Sequence, residues 1–325
     1  MPPVDELAAQ YAAAGRSAPA DRAATYARLA AEAARSRYSW DQSSLNLRRL
    51  VAALDRDPDV SVAERIDARI ELARDLRLNG DLAAVHAVLE EAIGQATALG
   101  DVPRLASATS VYGGVSLWNW RDLGVVDHRM VGLLDRLSQA PELGDRSRAE
   151  TLGTLAVELY YGPERRRGIA AGTEAVEIAR ELGDPELLSR TLNNLMIASW
   201  EPGYDEPRMA LVAEALDLVG SGLPIHAEAI ARMHRLSLSL RQCDVETYQA
   251  DLVRASDIAA TLSIPEIEAQ VSYQQATRLL LDGDLDAARA KAEESRERMA
   301  ATDLWGATWC AIVLPSCAAW WEGCL

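Results

Sequence analysis

Gly80-Asp81-Leu82-Ala83-Ala84 recurs far along the chain as Gly283-Asp284-Leu285-Asp286-Ala287-Ala288. Glycine ends a helix in the left-handed conformation, the following aspartate caps the next helix, and small residues let the two helix axes approach. Outward from these copies, similar turns recur on a fixed period. One series runs through Gly80, Asp122, Gly162, Pro202-Gly203, Cys243-Asp244 and Gly283, at spacings near 40. A second, interleaved with it, runs through Gly100-Asp101, Gly144-Asp145, Gly183-Asp184, Gly222, Ser263-Ile264 and Thr302-Asp303. The segments between turns show helical apolar periodicity and no strand-period stretch competes. Paired helices on a fixed period predict an all-α solenoid, a fold whose usual work is to hold another molecule.

The pattern predicts a leading helix and loop over 1–19 and one helical-repeat domain over 20–325, of about seven hairpins. After helices over 21–37 and 41–57, the hairpins pair 61–79 with 81–99, 102–120 with 124–139, and 145–161 with 163–182. They continue as 184–200 with 205–221, 223–242 with 244–262, and 264–282 with 284–300, before a last helix from Asp303 to Glu322 containing Pro315. The Gly-Asp turn, a bulky residue and then small ones resemble the tetratricopeptide pattern, although the period here is longer than the 34 residues of that repeat.

Charge narrows the partners. With 33 basic and 49 acidic residues the chain carries a net charge of −16, so direct nucleic-acid binding is not expected. Arg165-Arg166-Arg167 is the nearest thing to a basic patch and reads as a solvated helix start. No run of eighteen apolar residues and no signal-peptide pattern is present, which predicts a cytoplasmic chain without a membrane partner. Cys243, Cys310, Cys317 and Cys324 lack zinc-type spacing and read as reduced, buried, small apolar residues.

No catalytic motif is found. His86, His128, His226 and His234 are scattered, and the only lysine, Lys291, stands in Ala290-Lys291-Ala292 rather than in a P-loop. The expectation is a non-enzymatic chain with no cofactor and no metal.

A narrower resemblance rests on Trp118-Asn119-Trp120-Arg121-Asp122-Leu123-Gly124, on Ala149-Glu150-Thr151-Leu152-Gly153-Thr154-Leu155, on Glu174 through Pro185, and on Thr191-Leu192-Asn193-Asn194. Ala33 through Asp41 and Leu54 through Pro58 add to it. Over most of 20–260 the chain resembles the C-terminal helical-repeat region of large actinobacterial transcription regulators, the antibiotic regulatory protein family and the LuxR-type ATP-binding activators. That resemblance implies a sensor or regulatory surface that governs DNA-binding and nucleotide-hydrolysing parts, which this sequence does not contain. The chain is then either an excised domain or a stand-alone relative. The alternative role is a solenoid adaptor, or a biosynthetic-pathway protein that uses its groove for a small molecule.

In tetratricopeptide folds the first helix of each hairpin lines the inner surface, so its polar and aromatic residues are the candidate ligand contacts. Trp118, Trp120 and Arg121 close one such helix, Tyr160 and Tyr161 the next, and Asn193, Asn194 and Trp200 lie on the third. Trp120, Tyr160 and Trp200 are each forty apart, one repeat. They can clamp a small-molecule effector or a peptide in a concave groove, with Arg121 pairing a carboxylate, or they can fill the core between repeats. At the C-terminus Trp305, Trp309, Trp320 and Trp321 leave apolar surface where a polar cap is usual. Either the natural protein continues, or this end pairs with a second copy as a homodimer.

Overall fold

Four of the five Gly-Asp turns behave as the sequence predicts; at the fifth, Gly144 keeps φ −70° and Asp145 caps no amide. In the computed structural model, which describes residues 3–114, 116–119, 121–300, 302, 306–321 and 323 (306–311 as backbone only), Asp81 accepts from the Ala84 amide at 3.1 Å, Asp184 from Leu187 at 3.1 Å and Asp284 from Ala287 at 3.1 Å. Each cap satisfies an amide that the first helical turn leaves without an internal partner. Gly100 and Gly183 end their helices in the left-handed conformation at φ 69° and 63°.

Every element among the described residues is helical. A first compact unit, Met1–Val111, holds α1 (Val4–Ala14), α2 (Ala20–Arg35), α3 (Trp40–Arg56), α4 (Val62–Leu78), α5 (Leu82–Leu99) and α6 (Val102–Ser110). A second, Tyr112–Leu325, holds α7 (His128–Ser138), α8 (Asp145–Glu158), α9 (Arg165–Leu182), α10 (Pro185–Ala198) and α11 (Asp205–Asp217), then α12 (Ile225–Gln242), α13 (Val245–Leu262), α14 (Pro265–Leu281), α15 (Leu285–Ala300) and α16 (Gly306–Trp321). Within each unit a helix packs chiefly on its neighbour in the chain, as in an all-α helical-repeat solenoid. Contacts between second neighbours join α8 to α10, α10 to α12, α12 to α14 and α14 to α16. The first helices of successive hairpins therefore form their own row. Residues 191–199 are all buried, as expected of a helix packed on several sides.

One hairpin departs from its expected form. The helix expected over 102–120 stops at Ser110, a 3-10 turn covers Val111–Gly113, and α7 starts only at His128. Within the second unit Gly113 lies so close to α8 that a Cβ there would sit 2.8 Å from Thr154 Cα. Its carbonyl accepts from Arg190 Nε at 3.1 Å and Asn194 Nδ2 at 2.9 Å, both on α10. A carbonyl held this way by another helix is lost to a continuing helix of its own.

Two cysteines also depart from expectation. Cys243 and Cys317 are exposed rather than buried, Cys310's side chain and Cys324 lying outside the described residues. Cys243 ends α12 at φ 58°, the left-handed position that glycine fills elsewhere in the repeat. A side chain with a Cβ is disfavoured there, so Cys243→Gly is expected to stabilise the chain by about 0.5–1 kcal/mol. Denaturant titration beside wild type checks this, and a loss of stability would contradict it. At the far end Trp320 and Trp321 are exposed, while Trp305 and the side chain of Trp309 lie outside the described residues.

Candidate functional site

The described residues of 114–127, none of them helical, enter the row of first helices instead of extending one. Leu117 N donates to Glu266 Oε1 on α14 at 3.0 Å, Asn119 Nδ2 donates to the Val157 carbonyl at the end of α8 at 2.7 Å, and Arg121 N donates back to Asn119 Oδ1 at 2.9 Å. The chain's own residues thus occupy faces of α8, α10 and α14 that a bound peptide would need.

What remains open is a cavity of 220 Å³ lined by Leu117, Trp118, Asn119, Leu123, Tyr160, Tyr161, Ile197 and Trp200. Tyr160 and Tyr161 lie in the turn just past α8, and Trp200 just past α10. The last carbonyls of a helix lack internal partners, and polar groups around the cavity are spent on them. Arg165 Nε donates to the Ala198 carbonyl at 3.3 Å and its Nη2 to that of Trp200, while the Tyr160 hydroxyl donates to the Trp200 carbonyl at 3.4 Å. The Arg165 guanidinium lies 4.2 Å over the Tyr160 ring, and Tyr160 meets Tyr161 edge-on at 4.7 Å. Burial raises the Tyr161 phenol to about 12, so it remains a neutral hydroxyl at physiological pH. The walls are mainly aromatic and aliphatic, with Asn119 the one amide among them.

Of the residues singled out in the sequence, Trp118, Tyr160, Tyr161 and Trp200 meet at this cavity. Trp120 lies outside the described residues. Arg121 is elsewhere engaged: Nε and Nη2 both reach Glu158, at 3.0 Å each, and Nη2 also reaches Asp127 at 3.2 Å. Burial works against its charge, but Glu158 more than offsets this and the guanidinium titrates above its usual range. Asn194 is fully buried and holds the Gly113 carbonyl. Asn193 is also buried, its Oδ1 facing His234 Nε2 at 3.3 Å. Of the basic triplet, Arg165 is bound to α10 as described, and Arg167 pairs with Asp135 at 3.2 Å and Glu164 at 3.1 Å.

Two residues not singled out stand behind the cavity wall. Arg208, 1 % exposed, places its guanidinium 4.3 Å from the centre of the Trp200 ring, and His234 stands 5.8 Å from that same ring. A legible signal existed for Arg208: in Asp205-Glu206-Pro207-Arg208 it puts a cation in the first turn of a helix, where acidic residues are favoured.

Among the described residues no group of three or more His, Cys, Asp or Glu side chains is placed to hold a metal ion, and no helix is long and apolar enough to cross a membrane. The chain matches no protein-family model and no curated protein.

Proposed function

We propose that the second unit is a small-molecule sensor, and that the chain serves as the regulatory domain of a transcription activator of secondary metabolism. The observation that carries the first half is the cavity between Trp118, Tyr160 and Trp200: aromatic walls, a fixed backbone, and a size suited to a ligand of one or two rings. A peptide is less well suited, because Gly113, Leu117 and Asn119 already lie on the helices it would contact. The second half is supported by the family resemblance of the repeats.

Neutral one- and two-ring aromatics such as benzamide and indole-3-acetamide should bind the purified chain saturably in calorimetry. Trp118→Ala should weaken that binding about tenfold and leave the melting temperature little changed, since Trp118 is only half-buried and lies outside any helix. Failure of every such probe to bind, or equal binding by the variant, would remove the cavity as the ligand site.

A further inference from the structure

Arg208 is a buried cation that makes no ion pair with the described residues. Its Nε and Nη2 make no hydrogen bond. Asp205, the acidic residue whose charge acts on it most, is paired with Arg241 at 3.0 Å. Position in the first turn of α11 adds the positive end of a helix dipole to the cost of burial. Burial accordingly pulls the guanidinium down to about 10, despite the opposing influence of Asp205 and Tyr160. An apolar side chain of similar length would suit such a position better unless an anion visits it.

The neighbouring groups suit an anion too. Asn193 Nδ2, a donor, is buried and makes no hydrogen bond. Its own Oδ1 is turned to His234, whose ring lies against Trp200. The Trp200 indole is shared, because it lines the cavity while Arg208 stacks on its ring. Trp200 follows α10 in a turn containing Gly203 at φ 90°, and its carbonyl is held by Arg165 and Tyr160. Rotation of its side chain leaves these backbone bonds in place.

We propose that the inner end of the cavity is an anion subsite, in which Arg208 and the Asn193 amide bind the carboxylate of an aromatic acid once the Trp200 indole turns aside. Arg supplies a fork that matches a carboxylate with two parallel hydrogen bonds, and the surrounding burial strengthens them. The inference rests on reading the cavity as a ligand site, and it adds the charge of the ligand. One structural alternative competes: Asp205 Oδ1 is also buried without a hydrogen bond, so Arg208 could close on Asp205 and serve only to hold α11.

Calorimetry of the full chain with matched pairs, benzoate against benzamide and indole-3-acetate against indole-3-acetamide, separates these possibilities. Wild type should bind each acid at least about tenfold more tightly than its amide. In Arg208→Met the acid should fall to the affinity of the amide, the amide should be unchanged, and the melting temperature should hold or rise. Arg208→Lys, which keeps the charge but loses the fork, should retain part of the preference. Equal binding of acids and amides by wild type overturns the anion subsite and leaves the cavity reading standing. Binding of neither overturns both. An Arg208→Met protein that melts several degrees lower and keeps the acid preference overturns the subsite in favour of a structural arginine.

Discussion

Glu158→Ala should cost the second unit about 3 kcal/mol, the lower end of the range for removing one member of a buried ion pair. The Glu158 side chain is fully buried and receives both nitrogens of the Arg121 fork. Removing it leaves Arg121, only 13 % exposed, with Asp127 as its remaining carboxylate at 3.2 Å. For a unit of this size such a loss lowers the melting temperature by roughly 6–12 °C. Replacing Arg121 by methionine in the Glu158→Ala background should recover part of the deficit, because no unpaired charge then remains inside. The same lesion should weaken binding of aromatic probes, since Arg121 N is bonded to Asn119 and Asn119 anchors the cavity segment to α8. A Glu158→Ala protein within 1 kcal/mol of wild type in denaturant titration would mean that the pair contributes little and that the segment is held by its other ties.

The repeat was legible because its punctuation is local. The Asp81 and Asp184 caps bond amides three residues ahead, and the Gly100 and Gly183 turns need only a backbone free to adopt positive φ. Both are properties of a few consecutive residues, so they survive in the sequence. The early end of α6 was not legible in this way. What halts the helical path at Gly113 is a carbonyl claimed by Arg190 and Asn194 from about eighty positions away, and a fit against Thr154 that admits no Cβ. The sequence series of Trp120, Tyr160 and Trp200 follows the repeat ends that the turn spacing marks; Tyr160 and Trp200 line the cavity, together with Trp118, which is not in that series, and Trp120 lies outside the described residues. Asn194 shows the limit of the same reasoning. On a helix buried all round, an amide that reads like a groove contact holds the Gly113 carbonyl instead. The cation in the first turn of α11 was legible, but the burial of Arg208 and His234 against Trp200 is revealed only by packing.

The largest pH effect should come from His234. The side chain is fully buried beside Trp200, with Asn193 Oδ1 on Nε2 and Arg208 as the nearby charge. Burial pulls its pKa down to about 3, and the Arg208 charge adds to this, against a smaller opposing contribution from a Ser116 backbone hydrogen bond. The ordinary value of 6.5 applies to the unfolded chain. Between those two values the unfolded state carries the proton and the folded state does not, so the unfolded state gains as pH falls. Stability is thus fully present above pH ~6.5 and is lost by about 1.4 kcal/mol per pH unit below it, reaching roughly 4–5 kcal/mol by pH ~3. His234→Gln keeps a side-chain amide toward Asn193 and has no proton to gain, so it should remove this slope. Denaturant titrations of both proteins at pH 7, 6, 5 and 4.5 give the test. The difference between them cancels the acidic pairs, such as Glu228 with Arg254 at 2.8 Å, which the two proteins share. At pH 5 wild type should have lost about 2 kcal/mol more than the variant relative to pH 7. Curves that run parallel over that interval would mean that water or a rearranged Arg208 lets the imidazole accept its proton in place.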